Sequence, residues 1–114
     1  MSVPRLLHLA AHVACVREDR RTFRLGAVAV RADGAVVAAY NGHSESKSPR
    51  AHAEARLVRK LDKGACVYIA RVARGTGLFA NAKPCPGCER ALRRARVKKA
   101  IYTIGPNEYG VMNL

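Results

Sequence analysis

His52-Ala53-Glu54 and Cys85-Pro86-Gly87-Cys88 are the residues of this 114-residue chain whose types and spacing can do chemistry. A Cys-x-x-Cys turn opening a helix sets two sulfurs about one turn apart, close enough to share one tetrahedral Zn2+. With His52, the thiolates of Cys85 and Cys88 make three protein ligands and leave the fourth position to water. That is the ligand count of a catalytic site; a closed structural site uses four. Two thiolates offset the charge of the ion, and a helix N-terminus favours them through its dipole. Zinc brings the pKa of its water toward neutrality, but hydrolysis also needs protons carried to a leaving group, which a carboxylate at Glu54 can do. On a regular helix Glu54 would leave the axis about 200° away from His52, so both serve one site only if the helix begins at the ligand. Asn41, just before Gly42, ends an apolar run and can face the same cavity to hydrogen-bond a sugar or ring.

The elements that must position these residues are legible in order. Ser2 and Pro4 read as the cap and first turn of a helix that carries Leu6, Leu9, Ala10, Val13 and Val16 at helical spacing. Gly26 to Val30 and Ala35 to Tyr40 are β-rich runs joined at Asp33-Gly34, which predicts a hairpin. After the polar loop Asn41 to Arg50, a helix is expected from about Ala51 to Asp62, with Ala55, Leu57, Val58 and Leu61 inward and Gly64 stopping it. Cys66 to Ala70 reads as a third strand, Arg74 to Lys83 as loop, and Pro84-Cys-Pro-Gly-Cys88 as the opening of a third helix. That helix carries Ala91, Leu92, Ala95 and Val97 on one side. Ala100 to Ile104 is a fourth strand, with a short extra strand expected at Gly110 to Leu114. Helices crossing between strands call for an α/β domain over residues 1–114 with a mixed sheet of four or five strands.

The two motifs, in this order and on these elements, resemble the zinc-dependent cytidine/deoxycytidylate deaminase superfamily, whose signature is H-x-E followed by P-C-x-x-C. The similarity runs from the Gly26 strand through Ile104. It implies a three-layer α-β-α fold of the cytidine deaminase type. It also implies one Zn2+ per chain on His52, Cys85 and Cys88, with Glu54 as the catalytic proton shuttle. Substrate contacts are implied for Asn41, for the Ala53 backbone, and for Pro84, whose carbonyl would accept from the exocyclic amine. The reaction implied is the addition of water at C4 of cytosine, with protons passed by Glu54 to N3 and to the amine, leaving uracil and ammonia.

Histidine as first ligand is similar to the deoxycytidylate, tRNA-adenosine and polynucleotide branches, and Tyr40-Asn41-Gly42 is most similar to deoxycytidylate deaminases. Ala82-Lys83 departs from the threonine-containing sequence those enzymes carry before Pro-Cys, and the loop from Asn41 to His52 is shorter than theirs. The expected substrate is therefore a small cytosine nucleotide of the dCMP or CMP kind. One alternative is cytosine or adenine within single-stranded DNA or RNA, and another is a non-catalytic nucleic-acid-binding module on the same scaffold. Because relatives commonly complete their pockets with a neighbouring subunit, the resemblance also implies a homo-oligomer.

Composition narrows the classes. The formal charge of +13, from 21 Lys and Arg against 8 Asp and Glu, predicts attraction to phosphates and nucleic acid. Three basic runs, Arg17 to Arg24, Arg56 to Lys63 and Arg90 to Lys99, exceed what one mononucleotide phosphate needs, although solvated helix faces also produce such spacing. No apolar run approaches the roughly 20 residues of a membrane span, and the N-terminal stretch reads as an amphipathic helix and not as a signal peptide. Four cysteines in such a chain predict thiols or metal ligands in a cytoplasmic protein, with Cys15 and Cys66 as core thiols. His8 and His12 read as helix-face residues. Trp is absent, and Phe23, Tyr40, Tyr68, Phe79, Tyr102 and Tyr109 are the only candidates for stacking on a base, which weighs against a polynucleotide substrate.

Overall fold

Alternate residues along Cys66–Ala73 enter two different apolar cores, so the sheet built around this strand is covered on both faces. The computed structural model describes residues 3–15, 23–40, 61, 63–73, 78–84 and 86–114. In chain order these form α1 (Val3–Cys15), β1 (Phe23–Val30), β2 (Val36–Tyr40), β3 (Cys66–Ala73), β4 (Phe79–Ala80), α2 (Pro86–Arg94), β5 (Lys99–Gly105) and β6 (Glu108–Asn113). The sheet runs β2-β1-β3-β5-β6. One edge of β3 pairs with β1 antiparallel along its full length, Phe23 opposite Ala73 and Val30 opposite Cys66. The other edge is shared: Cys66 to Ile69 lie parallel to β5, and Arg71 and Val72 pair antiparallel with β4.

The described residues thus form six strands, not the four or five expected. Phe79–Ala80 lies inside the stretch read as loop, and two residues are too few for an alternating pattern to register. The expected extra strand exists but starts earlier, at Glu108.

On one face of the sheet, Leu6, Leu7 and Ala10 of α1 pack against Val28, Tyr68, Ala70 and Ile101. On the other, Leu92 of α2 and Val97 beyond it pack against Ala27, Ala29, Val67, Ile69 and Ala100. Leu61, read as inward from the sequence, joins this second core; the rest of the helix expected at 51–62 lies outside the described residues. This is the three-layer arrangement that the resemblance implies. Leu6, Ile69, Leu92 and Ile101 are fully buried, each contributing about 1.5–3 kcal/mol of transfer free energy.

Two local devices fix the connections. In the β1–β2 hairpin the Gly34 amide donates to the Arg31 carbonyl at 2.9 Å, and Asp33 Oδ1 accepts from the Ala35 amide at 3.0 Å. Gly34 sits at φ +91°, which explains why glycine follows aspartate there. α2 ends in a Schellman motif: the Arg96 amide donates to the Arg93 carbonyl at 3.0 Å and the Val97 amide to the Leu92 carbonyl at 3.2 Å. Val97 therefore reaches the core from beyond the helix and not along its inner face. Arg96 occupies the left-handed position at φ 60°, where glycine is usual.

Candidate active site

The parallel pairing of β3 with β5 dictates where α2 begins. A crossover helix between two parallel strands starts near their carboxyl ends and returns antiparallel to them. Hydrogen bonds at both ends agree. At the amino ends of the strands, the Gly64 amide donates to the Arg96 carbonyl and the Lys98 amide to the Ala65 carbonyl, both at 2.9 Å. At the carboxyl ends, the Ala82 amide donates to the Thr103 carbonyl at 2.8 Å. The first turn of α2, with Cys88, thus lies outside the carboxyl ends of the parallel strands, where open α/β sheets place their ligands.

Residues 79–84 form a strap that delivers the chain to this turn. Phe79 packs with the core under α1, whereas Ala82 belongs to the core under α2, so the strap crosses the end of the sheet from one face to the other. Thr103, 0% exposed, anchors it: its hydroxyl donates to the Ala80 carbonyl at 2.7 Å and accepts from the Arg71 amide at 3.2 Å. Asn81 turns the chain, its Oδ1 accepting from the Lys83 amide at 2.9 Å and its carbonyl from Arg71 Nη1 at 3.4 Å. Pro84 is buried at the end of the strap, Pro86 opens α2 where no amide partner is needed, and Cys88 is 1% exposed.

Sequence reasoning did not single out Thr103. The signal available was a lone hydroxyl within the apolar run Ala100-Ile-Tyr-Thr-Ile104, a position where a buried polar group must find partners. Of the expected site residues, the structure describes Pro84 and Cys88 and brings both into the interior at the start of α2. Asn41, His52, Ala53, Glu54 and Cys85 lie outside the described residues. Cys66, expected in the core, is half-buried on the α1 face, and His8 and His12 are exposed. The cations Arg90, Arg93, Arg94, Arg96 and Lys98 are all exposed on and after α2, with Arg93 paired to Glu89 at 3.1 Å. On the opposite face of the sheet, burial first and then the Cys66 thiol push the Tyr68 phenol above its usual value.

Comparison with known proteins gives three findings. The family model described as the cytidine and deoxycytidylate deaminase zinc-binding region matches residues 2–104. A tRNA-specific adenosine deaminase of Aquifex aeolicus (strain VF5) is 31% identical over 101 residues, covering 83% of this chain; the chain spans 64% of that protein's length. A crystal structure of cytidine deaminase from Burkholderia pseudomallei superposes with a TM-score of 0.70 at 15% identity, covering 99% of this chain and 93% of that one, a likeness of fold.

Proposed function

We propose a function from one premise: the chain belongs to the cytidine and deoxycytidylate deaminase family, whose matching region is described as zinc-binding. The activity proposed is hydrolytic deamination of a nucleobase, in which water replaces the exocyclic amino group and ammonia leaves. The observation that carries it is the buried Cys88 thiol in the first turn of α2, outside the carboxyl ends of two parallel strands and four residues after buried Pro84. A shielded sulfur at a helix N-terminus, with a second cysteine three positions earlier, suits zinc as a donor set. His52, Cys85 and Cys88 would hold the ion. When bound, zinc lowers the pKa of a water toward neutrality.

The chain's own residues do the rest. Glu54 takes a proton from the attacking water and returns it to the ring nitrogen, then carries a second proton to the departing amine. The Pro84 carbonyl accepts from the amino group, which orients the ring, while the Ala53 backbone and the Asn41 side chain hold base and sugar.

Two substrate readings have specific support. The matching family description names deoxycytidylate, and Tyr40-Asn41-Gly42 points the same way, toward a small cytosine nucleotide. The relative at 31% identity is named for tRNA adenosine, and a charge of +13 suits a substrate with many phosphates. We favour the second reading, a base within a single strand, because three basic runs exceed the demand of one phosphate.

The test is ammonia release by the zinc-loaded chain from cytidine, deoxycytidine, their monophosphates, and single-stranded oligonucleotides containing cytosine or adenine. Release from oligonucleotides at the highest kcat/KM is expected. A preference for dCMP would return the substrate to the nucleotide reading, and no release from any member of the panel would overturn the deaminase reading.

A further inference from the structure

A groove of about 200 Å³ opens on the α1 face of the sheet, beside the strap that leads to Cys88. Its walls come from the first turns of α1 (Pro4, Leu7, His8), from β4 (Phe79), and from β5 and β6 (Thr103, Tyr109). Two of the chain's six Phe and Tyr residues therefore meet in one place, joined by the His8 ring, whose centroid is 5.3 Å from that of Phe79 at a tilt of 53°. Tyr109 is 49% exposed, so its ring is open to a visitor. Thr103 closes the floor, its hydroxyl already bonded to the Ala80 carbonyl and the Arg71 amide. Polar selection is left to the rim, where Asn107 and Glu108 are exposed.

Charge decides what fits. Among the described residues no Lys or Arg lines the groove, and residues 100–114 contain none at all. Glu108 at the rim repels a phosphate. The groove is thus an aromatic recess with a carboxylate at its rim, on an otherwise strongly basic molecule. A planar, uncharged heterocycle matches aromatic walls by stacking. An amide and a carboxylate at the rim match a ring that carries an amino group, since Asn pairs with adenine and a carboxylate accepts from the cytosine amine. The volume is below the usual 300–1,000 Å³ of sites for whole small-molecule ligands, and suits one ring better than a complete nucleotide.

We propose that this groove binds a second base of the same single-stranded substrate, flanking the base that enters the Cys88 site. The proposal rests on the single-strand reading above and deepens it. The strap gives the route: it begins at Phe79 in the groove, crosses the end of the sheet, and reaches Pro84 five residues later. Phosphates between the two bases would meet Lys83, exposed on the strap, while the groove takes a ring, which separates the work of charge from that of stacking. The aromatics that looked too sparse in the sequence are sufficient once two of them and a histidine are gathered at one point.

The test is binding, which needs no turnover. Anisotropy of a labelled ten-nucleotide single strand, as RNA and as DNA, is measured with the full chain and with Tyr109→Ala, Tyr109→Phe and His8→Ala. Tyr109→Ala should weaken binding about 5- to 160-fold, the range carried by one lost base–aromatic stack, while the slope of log affinity against log salt stays unchanged. Tyr109→Phe should keep the affinity. An abasic strand of equal length should bind the unmodified protein no better than the normal strand binds Tyr109→Ala. If Tyr109→Ala fails to fold, His8→Ala carries the same expectation. Binding within twofold of the unmodified protein, equal binding of the abasic strand, or an equal loss in Tyr109→Phe overturns the proposal. Absence of ammonia release with these binding results intact would count against the deaminase reading alone, so the two fail separately.

Discussion

Replacing Thr103 by valine keeps the shape of the side chain and removes its hydroxyl, which isolates what the anchor of the strap contributes. The hydroxyl makes two bonds, at 2.7 Å to the Ala80 carbonyl and at 3.2 Å from the Arg71 amide, from a residue that is 0% exposed. Valine fills the same volume, so no cavity term arises. What remains is the cost of leaving polar groups short of a partner, about 1–3 kcal/mol each. Ala80 and Arg71 are half-buried and can recover part of their bonding from water, which places the total at roughly 2–3 kcal/mol. For a domain of this size 1 kcal/mol corresponds to about 4 °C, so Thr103→Val should lower Tm by roughly 8–12 °C. Thr103→Ser, which keeps the hydroxyl and loses a methyl, should cost only about 4 °C. Thermal unfolding followed by circular dichroism reads both. If valine lies within 2 °C of the unmodified protein while serine is the worse of the two, Thr103 is held by packing and the strap is not anchored as described.

Three further outcomes follow from the same structure. Arg96→Gly should raise Tm by about 4 °C, because glycine relieves roughly 1 kcal/mol of left-handed strain at φ 60°; Arg96→Ala, which removes the charge but not the strain, should show no such gain. Gly110→Ala should destabilise by about 1–3 kcal/mol, since a Cβ there would stand 2.7 Å from the Tyr102 ring, and a Tyr102→Leu background should remove most of that penalty in urea unfolding. The Tyr68 phenol is raised in the folded chain, so between its ordinary pKa, roughly 10, and its folded value only the unfolded chain loses the proton. Stability should therefore be intact below about pH 10 and fall as pH rises beyond it, less steeply in Tyr68→Phe when urea midpoints are compared from pH 9 to 11.

The elements that local rules specify were legible before the structure: the Asp33-Gly34 hairpin, the amphipathic α1, and the opening of α2 at Pro-Gly-Cys. Leu7 is the exception within α1: helical spacing points to Leu9, but Leu7 is the more deeply buried of the two because the helix also packs over Ile101 and Tyr68. β4 escaped notice because it exists through tertiary bonds, the Ala73 amide to the Leu78 carbonyl and the Thr103 hydroxyl to Ala80, and not through a pattern of its own. The end of α2 escaped for the opposite reason. Arginine favours helix continuation, and it is tertiary structure, the core contact of Val97 and the bond from the Gly64 amide to the Arg96 carbonyl, that holds Arg96 in a conformation its side chain disfavours. In the candidate site, Pro84 and Cys88 are buried at the start of α2, and Asn41, His52, Ala53, Glu54 and Cys85 lie outside the described residues. The groove was invisible in the sequence because its walls come from positions 4 to 109 and no local spacing joins them.

Whether this chain is a deaminase with Glu54 as its proton carrier is decided by ammonia release from the unmodified chain and from Glu54→Gln, measured on the same cytosine- and adenine-containing single strands, with zinc per chain determined on both. Ammonia from the unmodified chain and equal zinc in both proteins are expected. Turnover in the Glu54→Gln chain should be at least 100-fold lower, as expected when a general acid–base group is removed. Undiminished turnover in Glu54→Gln, or a zinc-loaded unmodified chain that releases no ammonia, would contradict that reading.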